Sequence, residues 1–153
     1  MNTCHISPLE ERPDDAKCVA EWIASEWGRL PIHEYLDTIR RHDAWLPALP
    51  RTLVAHVKDQ VVGTVSILED DLETRPEFNP WLGCLYVAHG WRRRGIGVDL
   101  LSRAETLAAS NLAIRRLFLF TEAQADLYGR HGWLHLEYDT YRNKPITIMT
   151  KGL

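Results

Sequence analysis

The 153-residue chain is poor in cysteine: Cys4, Cys18 and Cys84 stand far apart, with no C-x-x-C pair among them. That spacing suggests neither a disulfide framework nor a thiolate zinc site. Cys84, set in an apolar run, reads as a buried thiol. No apolar stretch approaches the ~20 residues that a membrane-spanning helix needs. The opening Met-Asn-Thr-Cys-His-Ile lacks the basic and then apolar regions of a secretion signal, so a cytoplasmic protein with no membrane partner is expected. Low-complexity segments, repeats and linkers are missing too, and a single domain over residues 1–153 is expected. An excess of basic charge is also lacking. Lys and Arg number 18 against 21 Asp and Glu, for a net charge of −3. With a pI near 6.1, no nucleic-acid partner is expected, even with Arg92–Arg94, Arg115 and Arg116 present. His131 and His135 are four apart, but Gly132 and Trp133 break any helix between them, so no metal site is expected.

The charge that is present is divided unevenly. Residues 1–80 hold 8 Lys/Arg against 15 Asp/Glu, or −7, and residues 81–153 hold 10 against 6, or +4. A basic C-terminal half suits an anionic cofactor and an acidic N-terminal half a cationic substrate, although solvated surface produces the same asymmetry.

Pro13-Asp14-Asp15 reads as a helix start, and Cys18, Val19, Trp22, Ile23 and Trp27 recur at helical spacing until Gly28. A second helix is expected from Ile32 to about Arg41, before Pro47 and Pro50 break the chain. Thr52–Val57 and Val61–Leu68 read as strands about a turn at Lys58-Asp59-Gln60. An acidic loop, 69–77, leads to a further apolar run, Trp81–Val87, with the character of a central strand. Beyond it come a helix to about Ser110, a strand Leu117–Thr121, a short helix Ala123–Arg130, and a hairpin of Trp133–Tyr141 and Pro145–Thr150 about Asn143. The order is that of a mixed α/β layer fold.

The most informative segment is the turn Arg92-Arg93-Arg94-Gly95-Ile96-Gly97 between a strand and a helix. A helix start offers unpaired N–H groups and a partial positive charge, which together receive an anion. Gly95 and Gly97 are expected to adopt positive φ and admit a pyrophosphate, while the arginines add donors. A Rossmann fingerprint fails because Leu100 holds the third glycine position, and a Walker loop fails because Val98-Asp99 follows Gly97.

The run from Leu85 to Gly97 resembles the acetyl-CoA motif of the GNAT superfamily of N-acetyltransferases, [QR]-x-x-G-x-[GA] after a strand that ends on an apolar-Val element. Arg92, Gly95 and Gly97 match its first, fourth and sixth positions. Downstream, Leu127-Tyr128-Gly129-Arg130-His131-Gly132-Trp133 is similar to the family's L-Y-x-x-x-G-[FW] signature. The match covers roughly Trp81–Thr150. It implies a GNAT-type fold, a mixed and mostly antiparallel central sheet flanked by helices, with two central strands splayed. Residues 1–80 would form the acceptor-side half and 81–153 the acetyl-CoA-side half.

The resemblance further implies acetyl-CoA as co-substrate and direct transfer to a primary amine of a small-molecule or peptide acceptor, in a ternary complex. Leu85, Tyr86 and Val87 would line the pantetheine arm, and residues Arg92 to Gly97 would hold the pyrophosphate. Thr121 stands where the family often carries an Asn that touches the arm. Tyr128 takes the family position of the general acid, since a phenol near pKa 10 can protonate a departing thiolate. Glu69 and Asp70 of the acidic loop are the candidates for a base acting through water, and Asp71 lies beside them. Trp27, Tyr35 and Trp81 are candidates to line the acceptor pocket and stack on a cation. A homodimer is compatible with this reading. The alternative is a non-catalytic acyl-CoA-binding or sensing module on the same fold.

Overall fold

Near-continuous runs of apolar and β-branched residues over 51–68 form the hairpin on which the rest is built. The computed structural model describes residues 3–28, 32–40 and 49–153. In it, strand β2 (Arg51–Val57) and strand β3 (Gln60–Leu68) pair antiparallel about Lys58 and Asp59, with Lys58 at φ 54°. Strand β4 (Trp81–Val87) lies antiparallel to β3 on the far side. Strand β1 (Cys4–Pro8) adds an edge beside β2. This strand lies outside the sequence expectation.

Helix α1 (Ala16–Trp27) follows a 3₁₀ turn at Pro13–Asp15. It buries Val19 and Ile23 against Val54, as its spacing predicts, and helix α2 (Ile32–Arg40) packs beside it. The expected helix end at Arg41 and the break at Pro47 lie outside the described residues. On the opposite face of the sheet, helix α3 (Ile96–Asn111) buries Ile96, Leu100, Leu101, Ala104 and Ala108 against β2, β3 and β4. Contacts at i, i+4, i+8 and i+12 make one apolar stripe.

Strand β5 (Arg116–Thr121), helix α4 (Ala125–Arg130), strand β6 (Leu134–Tyr141) and strand β7 (Lys144–Gly152) complete the chain. Arg142 and Asn143, both at positive φ, form the two-residue hairpin turn between β6 and β7. The seven strands run in the order β1-β2-β3-β4-β5-β7-β6, all neighbours antiparallel except β4 and β5. A third cluster of Leu72, Trp81, Ile146 and Ile148 lies under the loop 69–80. Among the described residues no helix is long and apolar enough to cross a membrane.

Candidate active site

Strands β4 and β5 touch at one register pair, Trp81 with Phe118, where the Phe118 N–H donates to the Pro80 carbonyl at 3.1 Å. Beyond that pair they diverge. Leu85, Tyr86 and Val87 are consequently only half-buried, although they sit in a central strand. A bulge sharpens the divergence: Thr64 faces Tyr86 whereas Ser66 faces Gly83, so β4 carries one residue more than β3. Cys84 takes up the excess at φ 55°. Bulges re-aim side chains in this way. Here Leu85 and Val87 point to the α3 side, and Tyr86 to the α1 side, where its ring meets Trp22 at 5.2 Å between centroids.

The open end of this wedge leads to the arginine–glycine turn. A 3₁₀ turn, His89–Trp91, is followed by Arg92, whose Nε donates to the Val87 carbonyl at 2.7 Å. Gly95 begins α3 at φ 82°, a left-handed conformation that favours glycine. Arg93 is also left-handed, at φ 62°. Gly97 corrects the expectation: its φ is not positive, and a Cβ there would meet only Val87 Cγ2 at 3.7 Å. The N–H groups of Gly95 through Val98 have no backbone acceptor among the described residues, and no side chain caps the helix. Four donors stand at the positive end of a 16-residue helix. Two of the three arginine side chains are already engaged: Arg92 lies over the Tyr86 ring at 5.3 Å and Arg94 over Trp91 at 4.9 Å. Backbone groups are therefore the donors left to receive an anion. These orphaned donors, together with the wedge, suit the pyrophosphate and pantetheine arm of coenzyme A.

Tyr128 sits on α4 and packs against the same apolar cluster as Leu85 and Val87. Its ring meets Trp133 edge-on at 6.2 Å. Burial pushes the phenol up from its ordinary value, so it stays protonated at neutral pH. The Tyr128 carbonyl accepts the N–H groups of His131 (2.9 Å) and Trp133 (3.1 Å), a loop closed by Gly132 at φ 89°. Thr121, the last residue of β5, uses its hydroxyl to accept the N–H of Gln124 at 3.0 Å, and its own proton is left to donate.

The acidic loop is not uniform. Glu69 and Asp70 are exposed, whereas Asp71 turns inward beside the buried Leu72. A Cβ on Gly83 would sit 2.7 Å from Asp71 Oδ2, so the carboxyl lies directly against the bulged stretch of β4. Burial first, then the charge of Glu73, push Asp71 up to about 7. Burial and the nearby Asp71 raise the Cys84 thiol, which makes it a poor nucleophile. Asp71 stood in the sequence as one of three consecutive acids, and only the insertion of Leu72 distinguishes it.

The aromatic candidates separate in the same way. Trp81 is fully buried among Phe78, Phe118 and Phe120, a core position rather than a pocket wall. Trp27 is 42% exposed at the end of α1. Tyr35 is half-buried and packs with Trp22 and Cys84 over the Val54 cluster. Trp22, read in the sequence only as part of a helical stripe, is the aromatic that reaches β4. Among the described residues no group of His, Cys, Asp and Glu could hold a metal ion.

The family model described as acetyltransferase (GNAT) domain matches residues 49–134. No curated protein sequence is similar enough to match. Solved structures share the fold throughout. A GNAT-family acetyltransferase from Streptococcus pneumoniae is 21% identical, with 99% of each chain covered and a TM-score of 0.74. An aminoglycoside 6'-N-acetyltransferase in complex with coenzyme A is 16% identical, with 97% of this chain and 96% of that one covered and a TM-score of 0.76. A spermidine N-acetyltransferase chimera from Vibrio cholerae is 14% identical, with 97% and 95% covered and a TM-score of 0.73. The matched span covers more than half of the chain and contains the wedge, the phosphate turn and the tyrosine signature. The chain belongs to the GNAT acetyltransferases and is an acetyl-CoA-dependent enzyme.

Proposed function

We propose that the enzyme acetylates a primary amine by direct transfer in a ternary complex, with Asp71 and Tyr128 as its proton-handling groups. The wedge between β4 and β5 carries this reading, because it joins the two faces of the sheet. Tyr128 lies on the α3 side and Asp71 on the side of the loop 69–80. Acetyl-CoA supplies the acyl group as an activated thioester.

An alkylamine arrives mostly as its ammonium form. Asp71, close to half ionised at neutral pH, takes that proton directly or through one water. The freed nitrogen lone pair then bonds to the thioester carbon as the carbon–sulfur bond breaks, Tyr128 protonates the departing sulfur, and the second proton shed by the nitrogen restores the Tyr128 phenol through solvent. A backbone N–H near Val87 polarises the carbonyl oxygen. Glu69, Asp70 and Glu73, all exposed beside Asp71, favour a cationic acceptor. The similar structures named for aminoglycoside and spermidine acetylation support the same class.

Titration of the melting temperature with acetyl-CoA tests the cofactor part. Binding to the folded state at ~100 times Kd stabilises by about 2.7 kcal/mol. An unchanged Tm at millimolar acetyl-CoA contradicts the assignment. Stabilisation without turnover across a broad amine panel favours the sensing module instead.

A further inference from the structure

Nothing in the phosphate turn itself explains how the acid is kept in register with a cofactor held more than a helix turn away. The connection is a clasp on α3. Glu105 Oε1 accepts the Trp133 indole N–H at 2.9 Å, and both carboxylate oxygens accept from Lys151 Nζ, at 3.1 and 3.0 Å. Lys151 also donates to the His131 carbonyl at 2.7 Å. Gly132 lets the chain pass over the lysine: a Cβ there would lie 3.3 Å from Lys151 Cε. The clasp thus grips residues 131 and 133, whose N–H groups both bind the Tyr128 carbonyl, and the Trp133 ring that faces the phenol.

Glu105 lies ten residues beyond Gly95 on one unbroken helix, about 15 Å along its axis. The anion site is at the start of that helix, and the grip on the Tyr128 loop is two to three turns further along. Trp133 is buried, and Glu105 and Lys151 keep only 16% and 24% of their side-chain surface exposed. A carboxylate shielded to that degree and holding three donated hydrogen bonds is a far stiffer link than a surface ion pair.

We infer that Glu105 is a positioning residue, which fixes the Tyr128 phenol relative to the helix that carries the cofactor's pyrophosphate. The inference rests on Tyr128 being the general acid. Glu105 touches no reacting atom and acts through Trp133, Lys151 and the 131–133 loop. Loss of the clasp therefore lowers kcat and leaves acetyl-CoA binding intact.

The test is a double-mutant cycle in the full-length enzyme, with kcat normalised to the acetyl-CoA-binding stoichiometry from calorimetry. Glu105→Gln in the wild-type background is expected to lower kcat about tenfold, because small misplacements of a catalytic group are costly. Its KM for acetyl-CoA should stay within about twofold, since the donors at the helix start are untouched. In the Tyr128→Phe background the same substitution should change kcat less than about twofold, because the group it positions is gone. Trp133→Phe, which removes the indole N–H together with part of the buried ring, should behave alike and serves if the Gln variant folds poorly. Equal losses in both backgrounds, with Tyr128→Phe itself impaired, overturn the positioning role. A Tyr128→Phe enzyme with full turnover removes the acid reading, and the inference falls with it by a different signature.

Discussion

Asp71 and Gly83 are in direct apposition: a Cβ at position 83 would come 2.7 Å from Asp71 Oδ2 and 3.0 Å from Leu68 Cδ1. Only a residue without a side chain lets the carboxyl reach the bulge of β4. Gly83→Ala should therefore displace Asp71. Overpacking of this kind costs about 1–3 kcal/mol of stability. The larger effect is expected on turnover, a loss of tenfold or more for a displaced base, within the ~100–10,000-fold scale of general acid–base catalysis. A normal kcat in a variant that binds acetyl-CoA contradicts the placement.

The pH dependence of Asp71 provides a test with two opposite readouts. Its folded pKa, about 7, lies above the ordinary aspartate value. The folded state therefore binds the proton more tightly than the unfolded chain, and stability falls as pH rises from about 4 through 7. Turnover moves the other way, increasing toward a plateau as the carboxyl ionises near pH 7. Asp71→Asn should flatten that rise and lower kcat. It should also stabilise the protein at pH 8 by about 1–2 kcal/mol, well below the full shift because the carboxyl keeps some contact with solvent. A gain in Tm with a loss of activity marks a functional residue that costs stability.

The two glycines of the phosphate turn should separate in their effects. Gly95→Ala forces a side chain into the left-handed region, at a cost of about 1–2 kcal/mol. Gly97→Ala meets only ordinary contact with Val87 and replaces glycine in a first helical turn, which leaves stability unchanged or better by up to ~1 kcal/mol. Both variants place a methyl group at the proposed pyrophosphate site, so both should raise the acetyl-CoA KM. Thermal melts and steady-state kinetics on the pair check this.

Arg75 straps the loop that carries Asp71 to strand β6. It donates to Glu137 and, at 2.8 Å, to Asp139, and stands over the Phe78 ring at 5.6 Å. The Thr140 N–H and then Arg75 hold the Asp139 carboxyl below its ordinary range. That contribution is fully present above the unfolded value, about 3.9, and is lost as pH falls through the lower folded value. Arg75→Met should shift the acid-unfolding midpoint to higher pH and reduce kcat by loosening the loop. An unchanged acid midpoint rules out the strap.

Much of this fold was readable from periodicity. The β2–β3 hairpin, the amphipathic α3 and the β6–β7 hairpin follow from apolar spacing and turn residues. The helix start at Gly95 and the short helix that carries Tyr128 were readable because their signals are local: a glycine at the head of an apolar stripe, and a short helix closed by Gly132. What escaped was decided by tertiary contacts. Strand β1 is five residues long and ends in proline, and the pairing that defines it, Cys4–Pro8 with Leu53–Val57, lies about fifty residues away. The bulge at Cys84 leaves no mark in an apolar run that reads equally well as a regular strand. Asp71 differs from Glu69 and Asp70 only through the burial of Leu72, and Trp81 joins the core because three phenylalanines converge on it. Glu105 was one more polar residue on a helix until Trp133 and Lys151 folded against it.

Direct acetyl transfer to an amine is read most plainly as amine-dependent release of free thiol from acetyl-CoA, followed for wild type and Asp71→Asn across mono-, di- and polyamines and peptide N-termini. Release should require an amine, be fastest with cationic acceptors, and drop at least tenfold in the variant at pH 7, a modest share of what a general base contributes. Thiol release no faster with any amine than without one contradicts direct transfer.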